Sequence, residues 1–190
     1  MGVVKEVLPV FRPPVYILRL NHRRERDKRI TTHCALVGRA FGAIRMYYSG
    51  DRDEKMEDSI SRLSNKWGGN FTVEYIKNPL MFVKGWREND GAAVHLTMYG
   101  LPISEYLQKL KDASLKSNLL LIIGASKVPI DYFKLVDFNI AIGHQPHSEV
   151  AALALFLDRI YEGKELELVF PEAKLRVLPQ ERSKRLMESS

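Results

Sequence analysis

Six cationic side chains, Arg19, Arg23, Arg24, Arg26, Lys28 and Arg29, stand against only Glu25 and Asp27 in one eleven-residue stretch, a local excess of +4. Guanidinium groups so concentrated can hold phosphates or steady a developing oxyanion, and the same stretch can equally be a solvated charged turn. No aromatic residue interleaves them, which argues against base stacking on this segment. A second group of candidates gathers around Gly100, Gly124 and Gly143, each closing a short apolar run: residues 94–98, 119–123 and 139–142. Such glycines usually mark tight connections, but here small and polar residues accompany them, in Gly124-Ala125-Ser126-Lys127 and in Gly143-His144-Gln145-Pro146-His147-Ser148-Glu149. Turns of this kind let a backbone approach a small planar ligand closely. His144 and His147 could ligate a metal, yet Pro146 lies between them and no third ligand is evident, so a polar loop before a helix is the better reading. Neither a GxxxxGK[ST] loop nor a GxGxxG turn occurs, which removes P-loop ATPases and ordinary dinucleotide folds, and counts against a glycine-rich Rossmann methyltransferase.

The elements that must carry these residues follow from periodicity. Residues 15–20 predict a first strand and residues 32–41 a helix capped by Thr31 or Thr32, with the cationic stretch as the loop between them. A strand over 44–48 leads to a helix over 53–67, where Met56, Ile60, Leu63 and Trp67 share a face and Gly68-Gly69 ends it. After a strand over 71–76, residues 78–91 read as a loop. Strands then alternate with helical segments at 104–113 and after Pro129, which argues an α/β fold with a mostly parallel sheet. Ligands on such sheets sit at the carboxyl ends of the strands. Residues 148–161 predict a long helix with Ser148 as cap, apolar enough to be buried nearly all round, either inside its own domain or against a second copy. Residues 166–170 and 174–178 alternate like the arms of a β-hairpin, and 179–190 read as a frayed polar tail.

Composition bounds the partners. The chain of 190 residues, 45% hydrophobic, suits one core, and 29 Lys and Arg over 23 Asp and Glu favour a polyanion. A single cysteine, Cys34, suits a reducing compartment and so the cytoplasm. No leader pattern opens the sequence, and the longest apolar runs fall well short of the ~20 residues that span a bilayer, so no membrane association is expected.

Four motifs, taken in order, resemble one family: Arg19-Leu20-Asn21-His22-Arg23 with Arg26-Asp27-Lys28-Arg29 and Thr32-His33, then residues 95–100, 124–129 and 143–153. They are similar to the archaeal tRNA cytidine-56 2'-O-methyltransferases, a branch of the SpoU group within the SPOUT superfamily, over roughly residues 15–178. The resemblance implies an S-adenosyl-L-methionine-dependent enzyme acting on tRNA, and a homodimer built partly on the last helix. It also implies a SPOUT domain over 1–163 with a deep trefoil knot at about 93–163, followed by a hairpin and tail over 164–190. Carried over, the cofactor contacts fall on Leu96, on Gly124, Ala125, Ser126, Lys127 and Val128, and on Ile142, Gly143, His144, Gln145, Pro146, His147, Ser148 and Glu149. No metal is implied, because a sulfonium already activates its methyl. The usual catalytic arginine of the group is Leu36 here, so Arg23, Arg19 and Arg29 are the substitutes offered by the same motif. A non-catalytic RNA-binding protein on the same fold is the alternative.

Overall fold

A computed structural model describes residues 11–89, 91–114, 117–124, 127–170 and 172–188, except the side chains of Lys28 and Ser114. The first strand, β1 (Val15–His22), is buried on both faces, as a central parallel strand must be. Val15 and Ile17 face one core cluster, Leu18 and Leu20 the other. β2 (Arg45–Gly50), β3 (Thr72–Tyr75), β4 (Gly91–Pro102), β5 (Asn118–Gly124) and β6 (Phe138–Ala141) complete a six-stranded sheet of order β3-β2-β1-β5-β4-β6, with every pairing parallel. The helices α1 (Arg24–Ala40), α2 (Glu54–Trp67), α4 (Ile103–Ser114) and α6 (Glu149–Tyr161) cover one face. Opposite them lie α3 (Pro79–Asn89) and α5 (Ile130–Leu135). Among the described residues no helix is long and apolar enough to cross a membrane.

Three departures from the sequence reading have physical causes. The cationic stretch is not a loop: β1 runs to His22, and α1 begins at Arg24. The Asp27 carboxylate accepts from the backbone N–H of Arg23 (3.2 Å), a start signal unlike the usual Ser or Thr cap, and Glu25 with Asp27 sets negative charge in the first turn. Thr31, expected as a cap, is instead buried inside the helix, its hydroxyl donating to the Asp27 carbonyl (3.1 Å). Residues 78–91 likewise hold a helix, α3, opened by Pro79 and by the Asn78 side chain accepting from Met81 N (3.2 Å).

The third departure is at the carboxyl end. The expected arm over 166–170 is not a strand, its first two residues closing a 3-10 helix (Lys164–Glu167), and the arm β7 (Leu175–Leu178) pairs with β8 (Arg185–Glu188), drawn from the stretch read as a frayed tail. Phe170 is used otherwise, with the Arg39 guanidinium 4.5 Å over its ring, while Lys174 N donates to the Lys66 carbonyl (3.1 Å) and docks the segment on the end of α2. The last helix is capped as expected, Ser148 Oγ accepting from Val150 N (3.1 Å). It packs on α1 and α4 through Leu153, Phe156, Leu157 and Ile160, and within one chain Ala151, Leu155 and Arg159 form an exposed stripe.

Candidate active site

At the carboxyl edge of the sheet, β5, β4 and β6 and the segments that follow them line a two-lobed cleft. One lobe, about 240 Å3, is lined by Leu96, Ile123, Gly124, Ile142, Gln145, Pro146, His147 and Glu149 among others. The other, about 550 Å3, takes in Leu96, Gly124, Lys127, Val128, Tyr99 and Ile130. Leu96, Thr97, Met98 and Gly124 border both lobes, so they form the wall between them. Of the cofactor candidates, Leu96, Gly124, Lys127, Val128, Ile142, Gln145, Pro146, His147 and Glu149 thus come together; Ala125 and Ser126 lie outside the described residues.

Gly143, His144 and Ser148 do not line a lobe but shape the loop that does. Gly143 has φ +83 with open space where a Cβ would stand, so the constraint there is backbone conformation and not crowding. His144 Nε2 donates to the Gly100 carbonyl (3.2 Å) and His147 Nδ1 to the Ser148 carbonyl (3.1 Å), so both imidazoles engage backbone. Among the described residues no three His, Cys, Asp or Glu side chains gather as metal ligands.

The three arginines separate sharply. Arg19 sits on the α6 side of β1, opposite Ile123 and fully buried, where Nη2 donates to Glu149 Oε1 at 2.9 Å while Nε and Nη1 find no partner among the described atoms. Glu149 lines the first lobe, so a buried cation beneath the floor fixes a carboxylate in its wall. Cys34 shares this interior, and burial pushes its thiol up to about 12, leaving it no nucleophile. Arg23 stands between β1 and α1, gripped by Asp27 through Nε (2.8 Å) and Nη2 (3.2 Å), its side chain 38% exposed. This fork holds the Asp27 carboxyl below its ordinary range, since hydrogen bonding to the guanidinium outweighs burial. Arg29 is exposed on α1, in the same face as Arg26 and His33. Leu36, at the group's usual arginine position, is half-buried and packed on the core.

Beneath the end of β1 lies a buried polar set that sequence reasoning passed over. Because the Thr31 hydroxyl spends its proton on Asp27, its oxygen accepts from His22 Nδ1 (2.7 Å), which leaves Nε2 bare and 3.9 Å from Asp53 Oδ2. Burial, then the nearby Arg19 charge, lowers the His22 pKa, against the pull of Asp53, Asp27 and Asp51. His22 is the last residue of β1, and Asn21 before it takes φ 58. The set therefore fixes the turn from which Arg23 projects. Thr97, Met98 and Ile123 were also missed as lining residues, although the first two belong to the motif at residues 95–100 that yielded only Leu96.

The chain is similar to known proteins in both sequence and fold. A family model described as tRNA ribose 2'-O-methyltransferase, aTrm56, matches residues 67–187. A protein of Methanopyrus kandleri named tRNA (cytidine(56)-2'-O)-methyltransferase is 53% identical, covering 92% of this chain and 96% of its own. One of the same name from Thermococcus kodakarensis is 46% identical, covering 93% and 98%. Among solved structures, the A. aeolicus TrmH/SpoU tRNA modifying enzyme superposes with TM-score 0.60 at 15% identity, over 83% of this chain and 79% of that one. The SpoU methyltransferase AviRb from Streptomyces viridochromogenes, solved in complex with AdoMet, gives TM-score 0.55 at 13% identity, over 78% and 56%. At such identities the structural likeness is one of fold.

Proposed function

We propose that this chain, which belongs to the aTrm56 family of tRNA ribose 2'-O-methyltransferases, transfers the methyl group of S-adenosylmethionine to the ribose 2'-hydroxyl of cytidine-56 in tRNA. The observation that carries the reading is the two-lobed cleft at the carboxyl edge, because it gathers residues from three separated motifs onto one site. A bent nucleoside-sulfonium fits such a cleft: Leu96 and Val128 offer apolar walls, the 142–147 loop offers backbone groups, and Gly143 leaves open space beside it. When bound, the sulfonium supplies an electrophilic methyl. The chain's own task is to place the ribose and favour loss of the 2'-hydroxyl proton. Arg23 is the cation assigned to the forming alkoxide, since it projects past the end of β1 with part of its guanidinium exposed and its orientation set by Asp27. Arg19, fully buried, is a positioning residue acting through Glu149. Arg29, with Arg24 and Arg26, is assigned to phosphates.

The same reading includes a knot over about 93–163, the hairpin appended at 164–190, a cytoplasmic setting and a homodimer. Ala151 and Leu155 on α6, with exposed Ile30 on α1, supply an apolar surface for the dimer. Incubation with labelled S-adenosylmethionine and an unmodified tRNA transcript should label one nucleotide, and a transcript with 2'-deoxycytidine at position 56 should take no label. Label on a base, or at another ribose, contradicts the assignment; tRNA binding with no transfer at all would favour the non-catalytic alternative.

A further inference from the structure

β4 leaves its pairing with β6 between Leu96 and Leu101, which both stand opposite Ile140, so residues 97–100 form an excursion out of the sheet. The excursion is braced from inside. The Thr97 hydroxyl accepts from the Tyr99 backbone N–H (3.4 Å), and the Gly100 carbonyl accepts from His144. Gly100 closes against β6 so tightly that a Cβ would lie 2.6 Å from the backbone of Asn139 and Ile140. At the tip of this fixed excursion Tyr99 is 81% exposed. Among the described residues, neither packing nor a side-chain hydrogen bond accounts for a large ring held there. Its neighbours around the rim of the larger lobe are Lys127, exposed, and Ile130, 62% exposed.

We infer that Tyr99 is a stacking platform for an unpaired base of the RNA substrate at the mouth of the cleft, with Lys127 beside it for the adjoining phosphate. The inference rests on the RNA-methylation reading above and adds the subsite that would hold the nucleotide. An aromatic face takes any base, a cation takes the backbone, and a rigid presentation avoids an ordering cost on binding. Where a nucleotide is turned out of a structured RNA to bring its 2'-hydroxyl to a cofactor in a cleft, a ring at the rim gives the displaced base a new stacking partner.

The test compares Tyr99→Ala, Tyr99→Phe and Tyr99→Trp for tRNA affinity by filter binding, methyl transfer, and S-adenosylhomocysteine affinity by calorimetry. Tyr99→Ala should weaken tRNA binding and raise KM for tRNA by a factor on the order of 10. Cofactor affinity and melting temperature should stay at the parent's values, and Phe and Trp should restore RNA binding. Unchanged tRNA affinity in Tyr99→Ala overturns the inference. So does loss of cofactor affinity, which would put the ring on the cofactor, a change in oligomeric state, or a failure of Phe to restore binding. Should the parent protein bind tRNA yet transfer no methyl, the enzymatic reading fails by itself, and the filter-binding arm still decides the role of Tyr99.

Discussion

Arg19 shows how burial adds to what residue type and motif leave open about a role. Its motif marks it as a cation near the chemistry, but the alternation along β1 that puts Val15 and Ile17 in the core carries Arg19 to the same face, where its guanidinium pairs with Glu149. Arg19→Ala should therefore act first on stability. Its loss empties a buried site and strips the part-exposed Glu149 carboxylate of its partner, and a loss of about 1–3 kcal/mol in denaturant unfolding is expected. Arg19→Ala combined with Glu149→Ala should cost clearly less than the two single losses added together, whereas additivity would show the pair uncoupled. Arg23 should behave differently. Arg23→Ala should lower turnover at saturating tRNA by a factor on the order of 100, with tRNA affinity nearly kept. Full turnover at saturation would remove it from the chemistry. His22 gives a pH signature. Its folded pKa lies below the ordinary 6.5, so an unfolded chain binds a proton that the buried ring resists. The stability it contributes is complete above that value and declines as pH falls toward the folded pKa, with His95, lowered by the same burial, adding to the decline. Melting temperatures taken between about pH 8 and about pH 5 should fall, and fall less in His22→Asn. Equal slopes in both proteins would contradict this.

Elements were legible where periodicity was strong and were misread where a local hydrogen bond overrode it. β1, α2 and β5 announce themselves by spacing. The start of α1 does not, because its capping group is Asp27, four residues beyond the residue it caps. The hairpin was recognisable as a kind of element, but its true partner strand, β8, is exposed throughout and carries little apolar alternation. Two glycines separate conformational need from spare freedom. Gly85 lies inside α3 with nothing within 4 Å of the place a Cβ would take, so Gly85→Ala should stabilise the fold by about 0.5–1 kcal/mol, chiefly by restricting the unfolded chain. Gly100→Ala meets backbone at 2.6 Å and should instead lower the melting temperature. Thermal denaturation of the two variants checks the contrast, and a Gly100→Ala protein as stable as its parent would show that the excursion in β4 is free to shift.

At the scale of the whole molecule, the order β3-β2-β1-β5-β4-β6 brings the ends of strands from both halves of the sequence to one edge. That convergence could be anticipated only in part. The glycine turns pointed to the loops, but which lobe each loop would line depends on long-range pairings such as Leu20 with Gly124, which no local pattern encodes. The exposed stripe of Ala151 and Leu155 bears on assembly, and sedimentation at micromolar concentration should show a species near twice 21.8 kDa; a single species at 21.8 kDa would leave those residues to solvent. The claim on which the others depend is that the cleft at the carboxyl edge takes the cofactor. A crystal structure of the protein with S-adenosylhomocysteine tests it directly. The ligand should lie against Leu96 and Gly124 and touch the loop from Ile142 to His147. A ligand found instead in the cavity by Phe11, Tyr161 and Lys164, at the far end of α6, would contradict the account.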